Sequence, residues 1–375
     1  MMMWRNGRIV SLGRAWGESQ ECQVELDDGS EYRALAYRRL VGTPRVGDRA
    51  LLSASAVHRG LGTGGYLMVV ALPDRLPADP PPAPGHIVKA RYTPLQYMTL
   101  GVDEQESPYH DLLAQADSIA GMPVVVADLH STLPAVVAAV HAHRPHARIA
   151  YIMDDGGALP AWFSQVAAAL TVSGDILGTI SSGQAFGGEL ESVNIHTALL
   201  AARLVWRADL AIVTQGPGNL GTGTRWGFSG TRVGEIINAV HTLEGRAIGL
   251  LRMSSGDARD RHFGLSHHTT TALTRVALSP VLCPVPQFDA TDELSTLVDS
   301  GTRTKISRQF SELFACPRLE RRDIATTGLT EVLEASPVNL RTMGRGLRED
   351  PLAFLAAGVA GYAAAQLLPE LTDRQ

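Results

Sequence analysis

The sequence predicts an open α/β fold: a doubly wound, mostly parallel sheet, preceded by a small all-β barrel-like domain and followed by a helical C-terminal extension. Three observations predict it. Residues 1–72 carry five short β-patterned runs separated by turn signals, more strands than so short a segment can lay flat. Residues 73–85, PDRLPADPPPAPG, hold six prolines in thirteen positions and exclude helix and central strand. Beyond residue 120, unbroken apolar runs alternate with helix-patterned segments. Strands without polar alternation are buried on both faces, which is the mark of a parallel sheet covered by helices.

In the first segment the runs are GRIVSLG, CQVEL, YRALAY, RALLSAS and YLMVVAL, and Asp27-Asp28-Gly29-Ser30 is a hairpin turn between two of them. The boundaries expected are an all-β domain over 1–72, a proline-rich linker over 73–85, an α/β domain over 86–290 and a helical extension over 291–375. Within the α/β part, PVVVAD (123–128), RIAYIMD (148–154), DILGTIS (175–181), DLAIVTQ (209–215) and AIGLLRMS (247–254) read as successive strands, with VALSPVLCPV as a sixth. Helical spacing follows each of the first five, in LPAVVAAVHAH, ALPAWFSQVAAAL, LESVNIHTALLAARLVW, VGEIINAVHTL and HHTTTALTRV. The closing run PLAFLAAGVAGYAAAQLLP (351–369) is uncharged and near the length of a bilayer crossing. Alanine drives insertion weakly, so it reads as a buried helix whose small residues Ala357, Gly358 and Gly361 admit a close neighbour.

Composition narrows the class. A net charge of −5 and 19% charged residues give no general footprint for nucleic acid or an acidic membrane. Cys22, Cys283 and Cys316 are too scattered for a disulfide framework or a thiolate zinc site, and suit a reducing cytoplasm. The N-terminal residues lack an apolar signal region. The expectation is a cytoplasmic protein outside the membrane, with a small-molecule ligand as partner and a homo-oligomer left open.

The stretches GHIVKARYTPLQ (85–96), YIMDDGGALP (151–160), QGPGNLGTGT (215–224) and TMGRGLREDPLAFLAAG (342–358) resemble those of an uncharacterised bacterial protein family known only as a domain of unknown function. The resemblance spans most of the chain and implies no activity, cofactor or ligand. Function must be read from the residues.

In an open parallel sheet, ligands gather outside the carboxyl ends of the strands. Polar residues follow each predicted strand there: Asp128-Leu129-His130-Ser131, Asp154-Asp155-Gly156-Gly157, Ser181-Ser182-Gly183-Gln184, Gln215-Gly216-Pro217-Gly218-Asn219 and Ser254-Ser255-Gly256-Asp257. Helix caps and tight turns explain part of this pattern, but five such loops on one rim point to a site. Asp128 and His130 alternate along an extended segment, so carboxylate and imidazole are expected on one side, sharing a proton or an ion. Asp154 and Asp155 are expected as electrostatic partners or oxygen ligands. One of His267 and His268, or His196, is expected to add a nitrogen, because adjacent histidines on a helix diverge by about 100°.

Gly216, Gly218 and Gly221 fit G-x-G-x-x-G after a strand, but so do Gly60, Gly62 and Gly65 before one. Thr222 stands where a phosphate-binding loop needs lysine, and no acidic residue ends the next strand, so neither a Walker loop nor a dinucleotide fingerprint is formed. The remaining candidates are an ordered turn and a backbone cradle for some other anion, comprising Gly216, Gly218, Asn219, Gly221 and Thr222. Lys89 and Arg91 are read as either a domain-junction pair or an ordinary edge strand, and Arg341, Arg345 and Arg348 as one basic helical face. The function expected is an enzyme acting on a small anionic metabolite at the carboxyl edge of the sheet, by acid/base or metal-assisted chemistry. The alternative is a non-catalytic ligand-binding sensor or assembly protein with the β-domain as its interaction module. No cofactor is named by the sequence.

Overall fold

The computed structural model describes residues 2–61, 64–156 and 159–369; Gly62 and Gly157, named above, lie outside them. Strands β1 (Trp4–Trp16), β2 (Ser19–Leu26), β3 (Glu31–Tyr37), β4 (Arg49–Ser53) and β5 (Leu67–Ala71) close into a barrel in the order β1-β2-β3-β5-β4. Closure removes the free edges that such short strands would expose. The long β1 pairs with both β2 and β4, and register shifts at Ile9/Ser11 and Leu12/Ala15 bend it to serve both. The β2–β3 turn is the expected one: Asp28 Oδ1 accepts from the Ser30 backbone N–H at 2.9 Å, and Gly29 takes a φ of 79°. Ile9, Cys22, Val24, Ala36 and Leu52 fill the barrel as a core of its own. Residues 73–85 hold no helix or strand.

The second core surrounds an eight-stranded sheet. Its strands are β6 (Pro123–Ala127), β7 (Ile149–Asp154), β8 (Thr179–Ser181), β9 (Leu190–Glu191), β10 (Leu210–Gln215), β11 (Arg246–Gly249), β12 (Val281–Gln287) and β13 (Leu319–Ala325). They lie in the order β9-β8-β7-β10-β6-β11-β12-β13, and every pair is parallel. The segment expected to be purely helical thus also supplies an edge strand, β13. Its four consecutive charged residues, Glu320, Arg321, Arg322 and Asp323, hid it, because an edge strand needs apolar residues only where it meets the core. AIGLLRMS is likewise two strands: after β11 the chain breaks, and Met253–Ser254 pairs antiparallel with Gly264–Leu265.

The principal helices are α1 (Leu133–His143), α2 (Gln165–Ser173), α3 (Ile195–Leu200), α4 (Arg232–Thr242), α5 (His267–Thr271), α6 (Ser300–Leu313), α7 (Leu329–Glu334) and α8 (Pro351–Gln366). From β6 the chain winds outward through β7 to β9, returns to insert β10 beside β6, and continues through β11 to β13 on the other side. Right-handed crossovers therefore place α1 and α2 on one face and α4 and α5 on the other. Helix α8 packs along α1, while α4 packs on the turn that extends α5. The winding reverses between β6 and β10, so their carboxyl ends open the crevice in which such sheets bind ligands.

Helix α8 is buried nearly all round. Gly361 lies so close to α1 that a Cβ there would stand 2.6 Å from the Val136 carbonyl oxygen, and one at Gly358 would stand 2.6 Å from Leu329. No helix among the described residues is long and apolar enough to cross a membrane. The predicted basic helical face at the end of the chain does not form: Arg341–Thr342 and Arg345–Gly346 make a small hairpin. Arg345 pairs with buried Asp350, and Arg348 with Glu293 and Glu334.

Candidate functional site at the carboxyl rim

Asp128 leaves β6 directly into the crevice and is only 4% exposed. Gln215 at the end of β10 and Asn219 just beyond it donate to its Oδ1 at 3.0 and 2.7 Å. Arg252, beyond β11, donates to Oδ2 at 2.6 Å, and the Nδ1 of His268 lies 3.2 Å from the same oxygen. Burial alone would raise this carboxyl, but the His268 hydrogen bond and the Arg252 charge hold it below its ordinary range. Asp128 is thus a fully engaged anion that gathers three strand ends.

His130 does not join it. The chain enters a 3-10 turn at His130–Thr132, so the strand alternation expected to align the two side chains has already ended. The ring instead lies between Tyr151 Oη, 2.8 Å from Nδ1, and Ser164 Oγ, 2.7 Å from Nε2. Thr214 uses its hydroxyl proton on the Gln215 carbonyl and accepts from Tyr151 at 3.0 Å. Tyr151 must then accept from His130, and Ser164 must donate to it, which fixes the Nδ1–H tautomer. Burial lowers the imidazole from 6.5 to about 4. The pair expected to share a proton is thus two separate networks.

The other predicted carboxylates are also engaged. Asp154 accepts both arms of the Arg232 guanidinium at 2.9 Å, which ties β7 to the start of α4. Asp155 accepts from the Gln184 backbone N–H at 2.9 Å, in the loop after β8. His196 is exposed on α3 and joins none of these groups. Lys89 ends a short strand, Ile87–Lys89, that pairs with Tyr97–Thr99, and its contacts stay within the α/β part: it is wholly buried, donates to the Ser192 and Ala185 carbonyls at 2.7 and 3.1 Å, and stands 3.5 Å from Glu191.

The glycine-rich loop is occupied with itself more than with an anion. Thr222 donates its N–H to the Gly227 carbonyl at 2.7 Å, Ser229 donates to Leu220 at 3.0 Å, and Gly221 bridges to Phe228. Gly227 and Leu220 donate to hydroxyls of Thr224 and Ser229. A cradle spanning Gly216 to Thr222 is therefore reduced, since Leu220 and Thr222 spend their donors inside the loop. Some of its glycines serve close packing and others the turn itself. Gly216 lies against Leu159, Gly218 takes a φ of 105°, and a Cβ on Gly230 would sit 2.2 Å from Asp128 Oδ1. The loop thereby reaches the site, and Phe228 stacks on His268 with ring centroids 3.9 Å apart.

Beside Asp128 the structure assembles three histidines. Ser266 caps α5 by accepting from the His268 backbone N–H, and His267 and His268 open that helix. His262 comes from the preceding turn, with Nδ1 2.8 Å from Ser266 Oγ. One ligand-capable atom of each lies within 4.8 Å of the others, and ring centroids are 4.5 to 5.2 Å apart. Both adjacent histidines take part, where one was expected, because His262 folds over the end of the helix and meets both rings. Burial pushes His262 down to about 3, with Arg252 adding to it, and burial and His268 lower His267. The Nε2 of His267 is buried and has no hydrogen-bond partner among the described residues.

His267 stands in the wall of a cleft of about 610 Å³. Five cationic side chains line it, Arg225, Arg261, Arg275, Lys305 and Arg308, against the two acids Asp260 and Glu312. Arg225 comes from the glycine-rich loop, and a Cβ on Gly223 would touch Arg261 at 3.9 Å, so the loop forms one shoulder of this cleft. Arg252, His262 and the cleft cations were missed from sequence. The available signal was RHFGLSHH (261–268), where three histidines fall within seven positions.

No curated protein and no solved structure matches the chain significantly. A family model described as a protein of unknown function, DUF3866, matches residues 33–361, and the chain belongs to that family.

Proposed function

We propose that the chain is an enzyme that takes a small anionic substrate in the cleft beside His267 and transforms it at the histidine cluster. The observation that carries this reading is His267 itself, an unpartnered buried imidazole nitrogen in a wall otherwise dominated by cations. A buried hydrogen-bonding group left without a partner is costly, and such exceptions gather at functional sites; of the seven such side-chain atoms among the described residues, His267 Nε2 alone belongs to a residue that lines this cleft. The excess of five cations over two acids favours a carboxylate, phosphate or sulfate group, and guanidinium forks suit its geometry. Asp128, Asn219 and Arg252 position the cluster, and His267 faces the substrate.

The test is a thermal-shift and calorimetric screen of small phosphate esters and carboxylates. The expected result is a saturable shift that Arg261→Ala and Arg308→Ala each weaken about tenfold or more, in line with the loss of one charge-assisted hydrogen bond. His267→Ala should retain binding while turnover of the bound anion is lost. Binding indifferent to both arginines would remove the reading.

The non-catalytic alternative has one observation in its favour. A second cleft of about 570 Å³ lies between the barrel and the α/β body, lined by Glu18, Arg39, Tyr97 and Trp162 among others. A sensor would bind there, with affinity unchanged by His267→Ala and lost on Trp162→Ala.

A further inference from the structure

We propose that His262, His267 and His268 together hold a divalent transition-metal ion of the zinc class. The proposal takes the ion's role from the preceding reading of the cleft, but its binding is argued and tested separately. Three nitrogens from three imidazoles converge within 4.8 Å of one another. A tetrahedral zinc site with bonds of about 2.0–2.1 Å separates its nitrogens by roughly 3.3 Å. The rings therefore need to draw together by up to about 1.5 Å, within reach of side-chain rotations.

The surrounding contacts are those of a ligand set. In His268, Nδ1 lies 3.2 Å from the Asp128 carboxylate and 3.1 Å from Arg252 Nη1; with its proton on Nδ1 and donated to Asp128, the arrangement that orients a metal-binding imidazole, Nε2 is its ligand atom. In His262, Nδ1 is engaged by Ser266 Oγ at 2.8 Å, which again leaves Nε2. His267 contributes the unpartnered Nε2. Two of the nearby cations are matched, Arg252 by Asp128 at 2.6 Å and Arg259 by Asp257 at 2.7 Å. With no thiolate or acidic ligand, the set resembles open catalytic sites more than closed structural ones, and His267 also lines the cationic cleft. An anion arriving there meets both the ion and the guanidinium groups. Phe228, stacked on His268, closes the side towards the glycine-rich loop.

The experiment loads metal-free full-length protein with Zn²⁺ or Co²⁺, desalts it, and measures bound metal by elemental analysis together with the Co²⁺ electronic spectrum. Wild type is expected to retain close to one ion per chain, with the intense visible bands of a four-coordinate cobalt centre. His267→Ala and His262→Gln should each lower affinity at least a hundredfold and abolish the bands, while His196→Ala, exposed on α3, retains both. His267 is half-buried, so its variant is the one expected to stay folded, and circular dichroism verifies this. Retention of less than about a tenth of an ion by wild type overturns the proposal, as does equal retention by folded His267→Ala. Anion binding is measured on the metal-free protein in parallel. Metal without anion binding sinks the substrate reading alone, and anion without metal sinks this one alone.

Discussion

The imidazole of His130 lies between two hydroxyls and touches no charged group. It ionises near 6.5 in the unfolded chain and at about 4 in the folded protein. A base whose folded value is depressed contributes stability that is complete above the unfolded value and is lost as the pH falls through the folded one. Acidification from pH 6.5 to pH 4 should therefore remove about 3 kcal/mol through this residue. Urea midpoints taken across that interval should fall, and the fall should be smaller in His130→Gln, whose amide does not titrate. An unchanged slope in the variant would assign the acid sensitivity elsewhere. At this scale the sequence identified chemistry but not company. Asp128 and His130 were legible as rim residues, yet the 3-10 turn that begins at His130 sends them to different networks. Asp154 was legible as a carboxylate on the rim, but nothing near it in sequence announces Arg232, 78 residues away.

Among elements, α8 shows how packing overrides propensity. A glycine within a helix costs roughly 1 kcal/mol relative to alanine, so Gly361→Ala should help on local grounds. Its Cβ, however, would meet the Val136 carbonyl at 2.6 Å and Ala139 Cβ at 2.7 Å, both on the facing α1. Backbone cannot yield as a side-chain tip can, and overpacking of this kind costs about 1–3 kcal/mol. Thermal unfolding of Gly361→Ala should therefore show net destabilisation; a higher Tm would mean that the helices separate freely. The small residues that permit this approach were visible in the sequence, as was the helix. What remained hidden was β13, because four consecutive charged residues in an edge strand imitate a surface helix or loop until a neighbouring strand pairs with it.

Across the whole molecule, the barrel and the sheet meet around Trp162, whose carbonyl accepts from Trp16 Nε1 at 2.8 Å and from Ser19 Oγ at 2.7 Å. Close by, the short hairpin of Ile87–Lys89 and Tyr97–Thr99 plugs Lys89 into the outer edge of the sheet beside Glu191. Burial raises Glu191 to about 7 despite the lysine. Removing the ammonium strands that carboxylate, and breaking a buried pair from one side typically costs about 3–5 kcal/mol. Lys89→Met should lose that much in denaturant unfolding. Lys89→Met combined with Glu191→Gln should recover a substantial part, and no recovery would show that the two backbone carbonyls, rather than the carboxylate, carry the effect.

The sequence by itself determined the alternation of strands and helices, the barrel strands with their Asp27–Ser30 turn, and the rim on which polar residues collect. These features are written in periodicity and turn chemistry, which depend on residues a few positions apart. Only the tertiary structure decided that β10 inserts between β6 and β7, that Asp128 is satisfied from three strand ends, and that His262 reaches the two histidines of α5. Those meetings depend on where each loop's backbone turns and on contacts between residues as much as 140 positions apart. A repeating pattern of buried faces does not encode such contacts, because it specifies which side of an element is covered and not which side chain covers it.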